Sequence, residues 1–543
     1  MNETITSIIF EKFGVELVPE LTRPDEKFGD VTTNVALQLA GKLGKNPRDI
    51  AQTIAAALEQ TGEYAEVTIA GPGFLNIRLT NEALIDQLSE IPKPLRSGQK
   101  VVIETNNPNP FKAMHVGHAF NSVLADTIAN LLEESGAQTH RVSYHGDVGA
   151  HVGKSMWAIL RYIDGDASKL AAIPEAERNE FMSRMYAEGA RAAKESETAK
   201  TEIEELALQS FRLDDPLYKA VYEQCKSWSF DQIDATTKRL GCAPIEKRYL
   251  ESQADALGVE TVKRHVGDVF IESEDAIVFP GEQYGGFDAA FVSRTGRGLY
   301  AARDLGLMQL KDADYRAEKS YIVTAEEQKP YFKNVIMAAE RCLPQLQGVT
   351  TNISTGTVLL TTGKMSSRDG DVVTIEALFA YIAQAVEARG GEATDDIVAG
   401  ALRYQFLKVK IGSDVVFDPN DAVSLQGNTG SYLQYAHARA RSILEKVPHT
   451  GEINADSLNS EERTLVRKIT EYREVLERTE HELLPHHLCN YLFELAQIFN
   501  RFYEKHQVVG SSDESHRAKL VERYADTLKA GLAVLGIHAP EQM

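Results

Sequence analysis

Two histidines follow a short apolar run and stand where a helix is predicted to begin. Residues 101–103 have the length and composition of a buried parallel strand, and the apolar residues after His118 recur at helical spacing up to Gly136. A helix N-terminus favours an anion, and two imidazoles three residues apart share one side of its first turn. The pattern predicts phosphate donors at His115 and His118, with Gly117 leaving room for a flat ring. A capped helix with two surface histidines explains the four residues from His115 to His118 equally well.

A second cluster lies far along the chain, between two glycines. Lys364, Ser366, Ser367 and Arg368 follow the apolar run 358–360. Cations and hydroxyls between glycines are suited to a mobile loop that closes over phosphate. Taken alone, the cluster is more typical of a solvated turn.

Composition narrows the class of protein without identifying a function. The chain has 543 residues and a formal net charge of -21, which argues against indiscriminate binding of nucleic acid through overall charge but leaves local basic patches open. Its four cysteines are scattered without metal-ligand spacing, which argues against a zinc site or a disulfide framework. No signal peptide or membrane span is apparent, and we expect a cytoplasmic protein.

Three regions must position these residues. Residues 1–95 alternate short helices and strands, as in a small α+β domain. Residues 96–388 alternate strands and helices, the mark of a Rossmann-like parallel α/β domain, with further strands at 289–293 and 321–324 and an inserted region at about 155–285. Residues 389–543 carry long apolar stripes at helical spacing and predict an all-α bundle.

The motifs together resemble one enzyme family. An HxGH turn early in an α/β domain, a KMSS loop at 361–373 and a helical C-terminal region resemble a class I aminoacyl-tRNA synthetase. The run from Asn107 to His118, with a lysine before the first histidine, is similar to the arginyl-tRNA synthetase form. Further matching segments are Phe28-Gly29-Asp30, Gly71-Pro72-Gly73-Phe74-Leu75-Asn76, Gly146-Asp147-Val148-Gly149, Tyr432-Leu433-Gln434-Tyr435-Ala436-His437-Ala438-Arg439 and Leu535-Gly536-Ile537.

The resemblance implies a two-step reaction and its partners. ATP, accompanied by Mg²⁺, and L-arginine would give arginyl-adenylate, and the arginyl group would then pass to the terminal ribose of tRNA(Arg). The helical region would bind the anticodon arm, and the N-terminal region would touch the outer corner of the tRNA. No prosthetic group and no zinc are expected. We also expect a monomer, no membrane association, and an activation step that requires tRNA.

The resemblance also assigns catalytic residues. His115, His118, Lys112 and Lys364 would be catalytic, and the ATP site would comprise His115, Gly117, His118, Lys364, Met365, Ser366 and Ser367. Most class I enzymes have a second lysine where this chain has Ser367. Lys112 is the first candidate to replace that cation, and Arg368 is the competing one. His151, where arginyl enzymes more often have glutamine, receives no role.

Arginine recognition needs acceptors that match a planar guanidinium with five donors. The family's arginine-binding residues correspond to Asn109, Tyr300, Asp304, Gln328 and Glu251. Tyr300 and Asp304 are spaced i, i+4 at the start of a predicted helix. An ordinary surface charge would explain Asp304 alone.

Three alternatives remain. One is a class I synthetase for another amino acid, although cysteine is disfavoured by the absence of zinc-ligand spacing and no large editing insertion is evident. Another is a non-catalytic tRNA-binding paralogue, against which the phosphate-directed histidines and Lys364 stand. The third is a nucleotidyltransferase that acts without tRNA, against which the helical C-terminal region stands.

Overall fold

A computed structural model describes residues 1–89, 94–361, 373–448 and 450–543. Within them, a parallel sheet flanked by helices lies between a small N-terminal α+β region and a helical C-terminal region. The predicted fold class is confirmed. None of the helices in these ranges has the length and apolar character that crossing a bilayer requires.

The N-terminal region packs helices on one face of an antiparallel sheet. Its elements are α1 Asn2–Phe13, β1 Val31–Thr33, α2 Val35–Leu43, α3 Pro47–Glu59, β2 Tyr64–Ala70, β3 Phe74–Leu79 and α4 Asn81–Asp86. The strands are ordered β1-β3-β2. Helix α3 begins with Asn46 accepting the Arg48 N–H and with Pro47 at the first helical position, both favourable start signals. Its apolar stripe from Ile50 to Leu58 fills the core under the sheet.

The central region is built on five parallel strands. Its first half comprises β4 Lys100–Glu104, α5 Val116–Glu134, β5 Gln138–His145, α6 Ala150–Ile163, α7 Ser168–Ala171, α8 Arg178–Glu195, α9 Glu197–Arg212, α10 Pro216–Arg239, β6 Lys247–Leu250 and α11 Glu251–Arg264. Its second half comprises β7 Ile271–Glu272, β8 Ala276–Phe279, β9 Ala289–Ser293, α12 Tyr300–Tyr315, β10 Lys319–Ala325, α13 Lys329–Cys342, β11 Thr350–Thr355, β12 Val358–Leu360 and α14 Ile375–Glu387.

The order of the central sheet is β11-β10-β4-β5-β6. Val101, Val102 and Ile103 of β4 are fully buried although they point alternately to both faces. A strand covered by helices on both faces must be apolar throughout, which is why this run predicted a parallel strand correctly. In such sheets, ligands bind beyond the carboxyl ends of the strands.

Two strands differ from the sequence-based expectation. β6 lies within the range predicted as an insertion, yet it pairs with β5 as an edge of the central sheet. The strand predicted at 289–293 is present as β9, but it pairs antiparallel with β8 in a separate sheet ordered β7-β8-β9. The periodicity of a short apolar run does not encode its pairing partner.

The C-terminal region is helical apart from one strand. Its elements are α15 Asp395–Leu407, β13 Val415–Phe417, α16 Pro419–Ala422, α17 Gly430–Leu444, α18 Ser460–Thr470, α19 Tyr472–Glu482, α20 His486–Lys505 and α21 Glu514–Val534. Strand β13 pairs in parallel with β12. The predicted apolar stripes of α20 and α21 are buried against each other, with Phe499 stacked on Tyr524 at 3.8 Å between ring centroids.

The N-terminal and C-terminal regions are joined by buried charge pairs. The Asp30 carboxylate accepts hydrogen bonds from Arg463 at 3.1 and 2.7 Å and lies 3.2 Å from Arg467 Nε. Gly29, with φ of 131°, leaves no space for a side chain because a Cβ there would lie 2.8 Å from the Ile77 carbonyl oxygen. The Phe28-Gly29-Asp30 segment therefore serves packing between the two regions.

Candidate functional site

The segment between β4 and α5 is held against the end of β5 by two asparagines. Asn107 donates to Glu104 at 2.8 Å and accepts the Tyr144 backbone N–H at 2.8 Å. Asn109 accepts the Gly146 backbone N–H at 2.8 Å. These bonds tie the segment after β4 to the carboxyl end of β5, beside the cleft that ligands occupy in parallel sheets.

His115 and His118 lie at the start of α5, as predicted. His115 is the N-cap residue, and its ring stacks on that of His118 with centroids 3.7 Å apart. A Cβ on Gly117 would lie 3.2 Å from the His115 ring, so a glycine leaves the imidazole free. Burial lowers the pKa of His115, and the charge of Lys112 lowers it further.

The pKa of His118 lies well below its usual value. Burial is the largest cause, and the charges of His115 and Lys112 add to it. Both imidazoles are therefore neutral at neutral pH, and each offers one N–H to an anion. Two neutral donors beside a lysine are suited to an anionic ligand, because they can donate hydrogen bonds to it without repelling each other.

Lys112 lies beside the two histidines. Its ammonium has no hydrogen bond or ion pair with any residue that the structure describes. Burial lowers the pKa of Lys112, and the Glu251 carboxylate opposes that effect. A partly buried cation without a fixed partner, close to two neutral imidazoles, is suited to a polyanionic ligand.

The residues of the predicted KMSS loop, Lys364, Met365, Ser366 and Ser367, lie outside the described residues, as does Arg368. The segment after this gap is anchored close to the histidines, whereas the residue before it is bonded to β13. Thr361 donates its N–H to Phe417 at 3.1 Å. Val373 accepts the Val116 N–H at 3.1 Å, and Thr374 forms a β-bridge with His115. The segment after the gap thus pairs with the first residues of α5.

Asp304 faces the same cleft from the first turns of α12. Its carboxylate accepts a hydrogen bond from the Tyr331 hydroxyl, which α13 supplies from the end of β10. Burial raises the pKa of Asp304 to about 7, opposed by the Tyr331 hydrogen bond and reinforced by the carboxylates of Glu104 and Glu251. Such a site favours a cationic partner strongly.

Glu251 begins α11 at the end of β6 and already has a cationic partner. Arg303 donates to Glu251 at 2.9 Å and to Asp255 at 3.0 Å. The other Glu251 oxygen lies beside Gly146, where an added Cβ would be 2.9 Å from it. Burial raises the pKa of Glu251, and the charge of Arg303 opposes that shift.

The other residues singled out in the sequence surround the carboxylates of Asp304 and Glu251 less closely. Tyr300 is 68% exposed, and its ring lies 5.4 Å from the Arg303 guanidinium carbon. Gln328 is exposed in the turn between β10 and α13. His151 donates its Nε2–H to the Gly146 carbonyl at 2.7 Å, and burial lowers its pKa to about 4. His151 is therefore a neutral positioning group.

Several polar residues of the site carry no recognisable sequence signal. Tyr331, Arg303 and Tyr144 approach the two carboxylates from three different elements. Asp147 fixes α11 by accepting the Ser252 N–H at 3.0 Å. Only Asp147, within the Gly146-Asp147-Val148-Gly149 motif, could have been found by motif.

The residues described contain no group of three or more histidine, cysteine or acidic side chains that could hold a metal ion. On the helical region, Arg439 and Arg441 of α17 both contact other residues of the protein. Arg441 pairs with Glu541 at 2.5 Å, and Arg439 lies 4.8 Å from the ring centre of Tyr503.

Comparisons with known proteins agree over the whole chain. Family models match at residues 2–79 (arginyl tRNA synthetase N terminal domain), 80–410 (tRNA synthetases class I (R), catalytic domain) and 433–543 (DALR anticodon binding domain). An arginine–tRNA ligase of Porphyromonas gingivalis is 27% identical, with 96% of this chain and 95% of that protein aligned. One of Synechococcus is 28% identical, with coverage of 97% and 95%.

Solved structures show the same fold. Arginyl-tRNA synthetase of Thermus thermophilus superimposes with a TM-score of 0.81 at 23% identity, covering 100% of this chain and 99% of that one. The enzyme of Plasmodium falciparum gives a TM-score of 0.78 at 19% identity, with coverage of 100% and 98%.

Proposed function

The chain belongs to the class I arginyl-tRNA synthetase family, and from that premise we propose that it activates L-arginine with ATP and transfers the arginyl group to the 3′-terminal ribose of tRNA(Arg). The observation that carries the proposal is that Glu251 interacts electrostatically with both parts of the site, with half-buried Asp304 on α12 and with Lys112 beside the histidines of α5.

In the first step the arginine carboxylate attacks the α-phosphorus of ATP. An O–P bond forms, the bond to pyrophosphate breaks, and negative charge grows on the phosphate oxygens. Catalysis then depends on positioning and on preorganised donors directed at that charge. We assign this work to His115, His118 and Lys112. Their neutral imidazole N–H groups support the assignment, as does the Lys112 ammonium, which has no partner among the described residues.

The KMSS loop would complete the ATP site. Lys364, Met365, Ser366 and Ser367 would close over the nucleotide, with Gly117 under the adenine ring. The pairing of Thr374 with His115 supports this, because it ties the segment that follows the loop to the start of α5. Mg²⁺ would enter on the ATP phosphates as part of the co-substrate.

Arginine would bind with its guanidinium at Asp304. A bound cation restores the charge that burial disfavours there, and N–H···O bonds to a carboxylate select guanidinium over an ammonium. Asn109 would contact the α-amino and carboxylate groups, and Tyr300 and Gln328 would close the pocket from its rim. Glu251 adds negative charge to the pocket, with one oxygen already engaged by Arg303.

The flanking regions would position the tRNA, with residues 389–543 on the anticodon arm and residues 1–95 at the outer corner. The DALR match supports the first of these roles. The monomeric state, the cytoplasmic location and the domain limits at 95 and 388 stay predictions.

ATP–pyrophosphate exchange with each of the standard amino acids, with and without tRNA, tests the proposal. We expect exchange with arginine and with no other amino acid, and only when tRNA is present. His118→Ala should abolish it. His140→Ala is the matched control, because His140 lies near the opposite, amino-terminal end of β5 and pairs with Glu246. Exchange with a different amino acid, or none with arginine and tRNA, would refute the assignment.

A further inference from the structure

The hydroxyl of Tyr144 is buried, yet it has no hydrogen-bond partner among the described residues. The residue itself is held firmly. Its backbone N–H donates to Asn107 at 2.8 Å, and its ring packs on the apolar cluster that includes Tyr249 and Leu307. Buried hydroxyls are nearly always satisfied, so an orphan in a rigid setting calls for a specific reason.

The hydroxyl lies beside the acidic residues to which arginine is proposed to bind. Two residues along the chain, Gly146 lies against Glu251 and Asn109, since an added Cβ there would be 2.9 Å from Glu251 Oε1 and 3.0 Å from Asn109 Oδ1. Tyr144 is the second-last residue of β5, at the carboxyl end of the strand. Burial raises its pKa well above the usual value, and the carboxylates of Asp304 and Glu251 add to the effect while the charge of Arg303 opposes it. The phenol is therefore neutral, and it can donate one hydrogen bond and accept another beside the two acidic groups.

Few carboxylate oxygens of the proposed pocket are free to accept hydrogen bonds from a guanidinium. One Asp304 oxygen already accepts from Tyr331, and one Glu251 oxygen accepts from Arg303. A guanidinium brings five N–H donors, and each donor buried without an acceptor weakens binding. The Tyr144 oxygen is an additional acceptor at a fixed position.

We propose that Tyr144 is a further arginine-binding residue, whose hydroxyl accepts an N–H of the bound guanidinium and donates its own proton toward a carboxylate of the pocket. The inference rests on the proposed function and extends it. In the free protein the hydroxyl is a polar group without a hydrogen-bond partner in the part of the chain that the structure describes. In the complex it becomes one of the contacts that distinguish guanidinium from a lysine ammonium, which has fewer donors and another geometry.

Tyr144→Phe removes this hydroxyl and nothing else. We expect the KM for arginine to rise about tenfold, the size of effect expected for one hydrogen bond to a charged group, with kcat within about twofold. The melting temperature of the free protein should be unchanged or higher, because the substitution removes an unsatisfied buried group. The rise in melting temperature caused by added arginine should shrink.

Tyr524→Phe is the matched control. The Tyr524 hydroxyl is also buried and unpartnered within the described residues, but it lies in α21 of the helical region. The Tyr524→Phe substitution should leave the KM for arginine unchanged. Equal KM values for Tyr144→Phe and Tyr524→Phe would overturn the inference, as would a Tyr144→Phe protein that loses stability and kcat but keeps its arginine KM.

Asp304→Asn separates this inference from the proposed function. If Asp304→Asn abolishes arginine-dependent exchange while Tyr144→Phe behaves as wild type, only the role of Tyr144 fails. If Asp304→Asn retains the wild-type arginine KM, the pocket itself is assigned wrongly, and both proposals fail together.

Discussion

Asp304 sits in surroundings that disfavour its charge until a cation arrives. Burial raises its pKa to about 7, and Glu104 and Glu251 act in the same direction. A bound guanidinium would reverse this by direct N–H···O contact, so arginine binds to the ionised form. Recognition and protonation at this residue are therefore coupled.

The arginine KM should depend on pH through this group. Below about pH 7, Asp304 is increasingly protonated, so the KM for arginine should rise as the pH falls from about 8 to about 6. A raised carboxyl pKa also means that the free protein loses this group's contribution to stability as the pH rises from about 4 to about 7. The increase in melting temperature caused by arginine should therefore grow with pH. A KM for arginine that stays flat over this range would contradict the assignment.

Lys112 is predicted to replace the missing cation of the KMSS loop. Lys112→Ala should slow arginyl-adenylate formation about 100-fold, as expected when one donor directed at developing charge is removed. Lys247→Ala is the control, because Lys247 lies at the amino-terminal end of β6, away from the carboxyl ends of the strands that carry the site, and pairs with Asp314. Single-turnover pyrophosphate release measures the rate. A near-normal rate in Lys112→Ala would transfer the role to Arg368.

Sequence motifs located functional residues only where those residues lie close together along the chain. His115 and His118 could be placed at a helix start because the strand, turn and helix are contiguous. Tyr331 and Arg303 could not be found, because their contacts with Asp304 and Glu251 join elements separated by 27 and 52 residues. Nothing in the sequence around Tyr144 indicates an unsatisfied hydroxyl.

At the scale of elements, the crossing of α11 and α12 sets the geometry of the acidic pocket. The helices meet at Gly258 and Gly306. A Cβ on Gly258 would lie 1.7 Å from the Ala302 carbonyl oxygen, and one on Gly306 would lie 2.1 Å from that of Ala254. Because α11 begins with Glu251 and α12 carries Asp304, this close backbone contact fixes the distance between the two carboxylates.

Gly258→Ala should push the two helices apart. We expect a loss of about 2 kcal/mol of unfolding free energy and a several-fold rise in the arginine KM, because overpacking displaces α12. Gly41→Ala is the matched control. Gly41 is exposed within α2, and an added Cβ there would meet nothing within 4 Å, so the substitution should stabilise the protein slightly. Chemical denaturation and steady-state kinetics measure both effects. A Gly258→Ala protein as stable as Gly41→Ala would contradict the packing argument.

Element types were more predictable than their partners. The apolar run at 101–103 and the stripe after His118 predicted β4 and α5 correctly, since burial on both faces and amphipathic periodicity leave local patterns. The run at 289–293 was correctly predicted as a strand, but its place in a separate antiparallel sheet was not. Pairing there depends on residues 276–279, and a five-residue pattern contains no information on its neighbour.

At the scale of the whole molecule, one buried arginine joins the catalytic and helical regions. Arg403 of α15 is fully buried and donates to Asp126 of α5 at 2.8 Å and to the Leu535 carbonyl at 2.9 Å. Gly536 permits this contact, because a Cβ there would lie 2.0 Å from the Arg403 guanidinium. The C-terminal Leu535-Gly536-Ile537 motif therefore closes the molecule onto the helix that carries the histidines.

Arg403→Met should destabilise the protein by about 3 kcal/mol, because it leaves the buried Asp126 carboxylate with only the Ala243 N–H and Arg141, 3.6 Å away, as partners. Adding Asp126→Asn should recover part of the loss. Arg478→Met serves as the control, since Arg478 is an exposed partner of Glu482 and its replacement should cost less than about 1 kcal/mol. Chemical denaturation gives the three values. Equal stabilities for Arg403→Met and Arg478→Met would contradict the proposed connection.

The order of the motifs predicted the overall architecture, but it did not predict the contacts that connect the regions. The net charge of -21 gave no indication of a tRNA partner. The contact between Asp30 and Arg463 spans 433 residues, and no local pattern reports such a pair.

A crystal structure with a non-hydrolysable arginyl-adenylate analogue tests the central claim most directly. We predict the guanidinium at about 3 Å from the Asp304 carboxylate and the phosphate group within hydrogen-bond reach of His118 and Lys112. A guanidinium bound away from Asp304, or a phosphate remote from both His118 and Lys112, would contradict it.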